Sequence, residues 1–226
     1  MKQLLLDLAS PHFPTLQNFV PGRNVELLQL LRDALTQQNF ERFIYVWGNV
    51  GCGKSHLLQA MVEAFKQQQC KAIYISCEMD SDFPVDASAI DCIAVDNIER
   101  LGEIAQIKLF NLYNQVREVD GTLFLASGNT LPGQLLLRQD LVTRLSWGLV
   151  YQVHELTDEE KREAIKCHAI SCGFELPQVI CDYLLRHEQR DLPSLIKIID
   201  ALDRYSLTRQ RQITLPLLRE LLQDAL

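Results

Sequence analysis

The run Gly48-Asn49-Val50-Gly51-Cys52-Gly53-Lys54-Ser55 satisfies every constrained position of the phosphate-binding pattern G-x-x-x-x-G-K-[ST]. No other stretch limits the fold so tightly. Gly48, Gly51 and Gly53 let successive backbone N–H groups turn inward around a phosphate chain, with Cys52 between them. Lys54 adds a point charge for the outer phosphates, and Ser55 adds a hydroxyl that can hold Mg²⁺. A loop of this kind requires a strand before it and a helix after it. Phe43-Ile44-Tyr45-Val46-Trp47 reads as the buried strand, and the stretch from His56 to Phe65 reads as the helix whose N-terminus faces the anion.

The 226 residues suffice for one large or two small domains with their own cores. A net charge of −7 argues against a surface that grips nucleic acid through its phosphates, so direct DNA binding is expected to be weak or absent. Met1 to Leu8 is too short for a membrane span and is interrupted by Asp7, which points to a cytoplasmic protein without membrane attachment. The seven cysteines show no C-x-x-C pair and no histidine at zinc spacing, so reduced and mostly buried thiols are expected. Cys52 differs in lying inside the phosphate loop, where oxidation would obstruct nucleotide binding.

At the start, Gln3 precedes the alternating Leu4, Leu6 and Leu8, and Ser10-Pro11-His12-Phe13-Pro14 then breaks regular structure. An apolar tail set off in this way calls for a partner. Pro21-Gly22 makes a turn, and Asn24 is placed to cap a helix from Val25 to Leu35. Lys71 to Ser76 reads as a second strand and Ile90 to Asn97 as a third, joined by a polar linker with little room for a crossover helix. Asp96, at the carboxyl end of the third strand, is where a P-loop protein places the carboxylate that orients Mg²⁺. Asn97 follows it, and an amide cannot take a proton from an attacking water. Tight nucleotide binding with slow hydrolysis is therefore expected, unless Glu99 substitutes.

Ala105, Leu109, Leu112, Val116 and Val119 recur at helical spacing between Glu103 and Asp120, and Gly121 ends the run. Thr122 to Ser127 forms a fourth strand leading to Asn129, which either hydrogen-bonds a phosphate or serves as a turn residue. Val150 to Val153 supplies the fifth. From Leu156 onward only helices appear. Thr157 and Glu160 form a capping box before Lys161 to Cys172, and Pro177, Pro193 and Pro216 open helices reaching Arg186, Tyr205 and Ala225. The pattern is a P-loop α/β domain followed by a small all-α lid.

Leu137 to Leu149 contains Leu141-Val142-Thr143-Arg144-Leu145-Ser146-Trp147-Gly148, which resembles the L-x-S-R-[FL]-x-W-G segment of the DnaA-related AAA+ ATPases, with Thr143 in place of serine. Leu16 to Asn24 is similar to their F-x-x-F-V-x-G-x-x-N stretch; Leu16 replaces the first Phe, and Asn24 falls one residue early. Gln3 to Leu8 resembles the Q-L-x-L-x-L peptide that binds bacterial sliding clamps. The resemblance covers nearly the whole chain. It implies a parallel five-stranded AAA+ sheet with helices on both faces over residues 16–156, a helical lid over 157–226 and a clamp-binding tail over 1–15.

The same resemblance implies the site roles. Phe19 and Val20 lie against the adenine of ADP or ATP; Gly48, Gly51, Cys52, Gly53, Lys54, Ser55 and His56 surround its phosphates; Ser55 and Asp96 hold Mg²⁺. Asn129 is the first sensor and Arg190 the second, reaching nucleotide from the lid. Arg144 is an arginine finger for ATP bound to a neighbouring subunit, here the initiator DnaA, while Gln3, Leu4, Leu6 and Leu8 engage the clamp. DnaA continues past its lid into a helix-turn-helix domain, whereas this sequence stops at Leu226. The implied function is a clamp-tethered, nucleoid-associated negative regulator that stimulates hydrolysis on DnaA, with weak hydrolysis of its own. Self-association into homo-oligomers is compatible with the family. The alternatives are a helicase-loader ATPase, a self-contained P-loop hydrolase or kinase, and a clamp-binding adaptor without a catalytic role.

Overall fold

The computed structural model describes residues 14–36, 41–188 and 191–224. The apolar runs form five strands: β1 (Phe43–Trp47), β2 (Ala72–Ser76), β3 (Cys92–Asp96), β4 (Leu123–Gly128) and β5 (Leu149–Gln152). All neighbouring pairs are parallel, in the order β2-β3-β4-β1-β5. Parallel neighbours need crossovers. These are α2 (Lys54–Gln67) after β1, α3 (Glu103–Glu118) after β3 and α4 (Gln139–Leu145) after β4, while α1 (Val25–Leu35) precedes the sheet. The β2–β3 connection contains no helix, as its short polar sequence predicts.

Side-chain alternation along each strand divides the core into two layers. Ile44, Val46, Ala94 and Leu125 pack with α1 and α2, whereas Tyr45, Ile93, Val95 and Phe124 pack with α3 and α4. Helices therefore cover both faces, and the strands are buried enough to read as continuous apolar runs. The same parity sends Asp96 and Ser127 to the α2 side, where the phosphate loop ends. That placement is fixed by counting in twos from Ala94 and Leu125.

Two local expectations are corrected. Asn24 stands at the N-cap of α1, but its side chain makes no capping bond; its own N–H instead closes the turn onto the Pro21 carbonyl at 2.7 Å. Helix α3 stops at Glu118, because Val119 is already extended, and Gly121 at φ +95° shapes the turn beyond the helix rather than ending it. Tyr113, outside the aliphatic periodicity, joins the buried face of α3 through ring contacts with Phe43 and Phe124.

The chain divides into two units, the first ending at Val153 and the second beginning at His154. The second contains α5 (Asp158–Ser171), α6 (Gln178–His187), α7 (Leu192–Arg209) and α8 (Leu215–Asp224) around Ile165, Ile180, Leu184, Leu195, Ile199 and Leu217. The capping box is formed. The Glu160 N–H donates to Thr157 Oγ1 at 3.2 Å, and the Thr157 N–H donates to the Glu160 carboxylate at 2.7 Å. Asp191 caps α7 by accepting from the Ser194 N–H at 2.9 Å. Among the described residues, no helix is long and apolar enough to cross a membrane. Replacing Thr157 by Ala should destabilise the lid by about 1 kcal/mol, with Thr157→Ser retaining most of the cap. Urea denaturation followed by helical circular dichroism measures this, and identical midpoints for parent and Thr157→Ala would contradict the assignment.

Candidate functional site

The chain leaves β1 at Trp47 and enters α2 at Lys54, so the six residues between them must reverse direction against the sheet edge. Gly53 has φ +105°, and a Cβ there would lie 2.7 Å from Phe19 Cε2. A Cβ on Gly48 would meet the Val153 carbonyl oxygen at 2.5 Å. Both positions exclude a side chain. Lys54 is only 6% exposed, and its ammonium donates to the Gly48 and Asn49 carbonyls at 2.7 and 2.9 Å. This fixes a positive charge inside the loop, at the N-terminus of a 14-residue helix whose dipole favours anions.

Asp96 is fully buried at the end of β3. A buried carboxylate requires donors, and the fold supplies two. The Ser127 hydroxyl donates to Oδ1 while accepting the Asn97 N–H at 3.1 Å, and the Tyr74 hydroxyl donates to Oδ2 at 2.6 Å. Burial, followed by the bond to Asp96 and its charge, pushes the Tyr74 phenol up to about 12, so it remains a donor at neutral pH. The side chains of Ser55 and Gln59 lie near the same phenol and oppose part of this effect. Tyr74 thus bonds one proposed cation ligand, Asp96, and lies near the other, Ser55. Their hard oxygen donors beside one hydroxyl fit Mg²⁺.

Sequence reading gave neither Tyr74 nor Ser127 a role. Ser127 was legible in principle, since it has the parity of Leu125 and belongs to the strand beside β3. Tyr74 was not, because its reach to Asp96 depends on the β2–β3 register, in which Tyr74 lies opposite Ala94 and Ser76 opposite Asp96.

The segment before α1 packs onto the loop through Phe19. Its buried ring lies under Gly53 and 5.5 Å from the His56 ring, while Val20 is half-buried. His56 binds the Thr15 carbonyl through Nε2 at 3.0 Å, and burial lowers its pKa despite that carbonyl's opposing effect. His56 therefore ties the segment to α2. Leu16, where the family pattern has its first Phe, is buried in the same apolar layer. Cys52 is 7% exposed and belongs to the core beneath the loop, and its N–H is directed at the Asn49 carbonyl. Gly51, at φ +83°, and Asn129, just past β4, are both exposed.

Asn97 adopts the left-handed conformation at φ 58°. Glu99 places Oε2 on the Tyr45 side of Gly128, 3.5 Å from where a Cβ on that glycine would stand. Burial, and then the charge of Glu99, raises the Tyr45 phenol well above its ordinary value. Glu99 thus lies toward the α3 face, whereas Ser55, Asp96 and Ser127 meet on the α2 face.

Arg144 lies in the last turn of α4, in the layer opposite the phosphate loop. Its guanidinium sits 4.2 Å from the centroid of the Trp147 ring and 5.7 Å from that of Phe110. Trp147 is 59% exposed, and Arg117 approaches the same ring at 5.8 Å. Among the described residues, no ion pair involves Arg144. Gln3, Leu4, Leu6, Leu8 and Arg190 lie outside the described residues.

Residues 11–152 match the family model of the bacterial DnaA ATPase domain, and residues 158–222 match that of the Hda lid domain. Domain III of the Thermotoga maritima replication initiation protein DnaA is similar at TM-score 0.77 and 23% identity, covering 95% of this chain and 97% of that one. AMPPCP-bound DnaA from Aquifex aeolicus gives 0.71 at 23% identity, over 87% of this chain and 67% of that one. A replication initiator DnaA bound to AMPPCP and single-stranded DNA gives 0.69 at 25%, over 88% and 69%. The first family match spans well over half of the sequence; the chain belongs to the bacterial DnaA ATPase family and carries a lid of the Hda type.

Proposed function

We propose that this chain is a negative regulator of replication initiation that stimulates hydrolysis of ATP bound to DnaA by supplying Arg144 in trans. The observation that carries the reading is Arg144 itself: its described contacts are aromatic, and it lies in the layer away from its own phosphate loop. A guanidinium held over an exposed indole keeps its charge. Delivered to a transferring phosphoryl group, such an arginine accelerates hydrolysis on the order of 10³ to 10⁵-fold.

The chain's own loop binds ADP or ATP in this reading. Phe19 and Val20 border the adenine, Lys54 neutralises phosphate charge, and Asn129 and Arg190 complete the contacts as sensors. Ser55 and Asp96 would hold Mg²⁺, which supplies charge neutralisation at the phosphates. Asn97 cannot act as a base, and Glu99 points to the other face of the sheet, which supports slow turnover. The nucleotide then serves as a ligand that favours one docking geometry. Gln3, Leu4, Leu6 and Leu8 tether the protein to a sliding clamp, raising its local concentration near DnaA.

The test uses DnaA loaded with labelled ATP, clamp loaded on DNA, and this protein as parent, Arg144→Ala or Gln3→Ala. Arg144→Ala should reduce stimulation to the unstimulated rate, while Gln3→Ala should weaken it in a way that higher protein concentration restores. Full stimulation by both variants rejects the mechanism; full stimulation by Arg144→Ala alone leaves a clamp-binding adaptor. Two further outcomes concern the protein's own site. Glu99→Gln should hydrolyse ATP as slowly as the parent, and a further fall in single-turnover rate would make Glu99 the base. Tyr74→Phe should lower stability by about 1–3 kcal/mol by leaving Asp96 Oδ2 short of a donor. That deficit should narrow in saturating Mg–ADP, and equal deficits with and without it would show that Asp96 does not face the cation.

A further inference from the structure

The lid contains a cluster that the phosphate-site chemistry does not use. His168 and Cys172 are one turn apart at the end of α5, and Asp200 faces them from α7; their ligand atoms all lie within 4.8 Å of one another. His168 Nε2 is 2.6 Å from Asp200 Oδ1 and 3.7 Å from Cys172 Sγ. Cysteine spacing alone gave no histidine at zinc spacing. The correction is an i, i+4 His–Cys pair, which a helix brings to one face, completed by a carboxylate 28 residues beyond Cys172.

We propose that His168, Cys172 and Asp200 form a binding site for a borderline-soft divalent cation of the zinc class. Imidazole, thiolate and carboxylate together suit Zn²⁺, whereas Mg²⁺ and Ca²⁺ take oxygen ligands. The geometry is close to that requirement. Zn–N and Zn–S bonds at a tetrahedral angle put nitrogen and sulfur about 3.6 Å apart, and the observed separation is 3.7 Å. The imidazole–carboxylate pair must open by roughly 0.8 Å to reach a tetrahedral edge, exchanging one short hydrogen bond for two metal bonds.

Asp203 follows Asp200 by three residues on α7, which puts a second carboxylate on that side of the helix, and the Arg204 side chain donates to the Asp200 backbone carbonyl. On binding, the Cys172 thiol releases its proton to solvent, and the proton that Nε2 shares with Asp200 leaves that nitrogen, moving to Nδ1 from the neutral ring or to solvent from the imidazolium, so that Nε2 coordinates through its lone pair. Water completes the fourth position. Cys172 is exposed, which gives the ion a route in, and the bound ion joins the end of α5 to the middle of α7.

The test titrates Co²⁺ into the full chain, kept reduced with a phosphine, and follows thiolate-to-cobalt charge-transfer absorption. Zn²⁺ affinity is then measured by competition with a chromophoric chelator. One Co²⁺ per chain should bind, the band should disappear on adding Zn²⁺, and Cys172→Ser should abolish it while Cys167→Ser retains it. His168→Gln and Asp200→Asn should each weaken Zn²⁺ by about tenfold or more. Thermal melting in EDTA identifies any variant that fails to fold, and Cys172→Ala then replaces Cys172→Ser. The site is overturned if the parent shows no band, if the band survives removal of the Cys172 thiol, or if His168→Gln binds Zn²⁺ as the parent does. A hydrogen-bonded His–Asp pair beside an unrelated thiol predicts those results.

Discussion

A buried carboxylate at a strand end is costly unless its oxygens are satisfied, and Asp96 sets this condition for the surrounding first unit. Its two donors come from different strands, Tyr74 on β2 and Ser127 on β4, so satisfying one residue requires three strands in correct register. The requirement reaches further. Ser127 also holds the Asn97 N–H, which turns the chain into the left-handed conformation after β3. Tyr74 also lies near Ser55, at the start of the phosphate-loop helix. Sheet register, loop position and the proposed cation ligands are therefore coupled through one acidic side chain, and changes at Tyr74 or Ser127 act on stability and ligand together.

How much of this was legible follows from the range of each signal. The loop Gly48 to Ser55, its strand and its helix were readable because the pattern is contiguous and each constraint is local. The Thr157–Glu160 cap was readable for the same reason, as its two partners are three residues apart. Strand parity accounts for the faces of Asp96 and the apolar core once the sheet is built. What could not be read depended on register or on helix packing: Tyr74 reaching Asp96 across β2–β3, and Asp200 meeting His168 across α5–α7. Asn24 shows the opposite failure. Its residue type fits a cap, but a backbone turn onto Pro21 had already fixed its place.

The aromatic support of Arg144 explains how an arginine can be held without being neutralised. An ion pair would fix the side chain but would have to be broken before the guanidinium met a phosphate, at a desolvation cost for the abandoned carboxylate. A cation–π contact with Trp147, with the guanidinium carbon 4.2 Å from the ring centroid, requires no such exchange, because no carboxylate is left behind. Arg117 on the same ring adds a second positive charge nearby, so the local field favours an approaching anion.

The sheet separates the two proposed tasks. Residues of the proposed phosphate site lie on the α2 side, while Arg144 stands on α4, whose Leu141, Val142 and Leu145 pack with Phe110 in the layer of α3 and α4. Residues without shared partners contribute nearly independently. Loss of the Arg144 side chain should therefore leave nucleotide-dependent stability intact. Loss of the Lys54 charge should reach the Arg144 face only through the population of folded, nucleotide-held molecules. Coupling between the two faces would pass through the strands that contribute to both layers: β1 through Val46 and Tyr45, β3 through Ala94 and Val95, and β4 through Leu125 and Phe124.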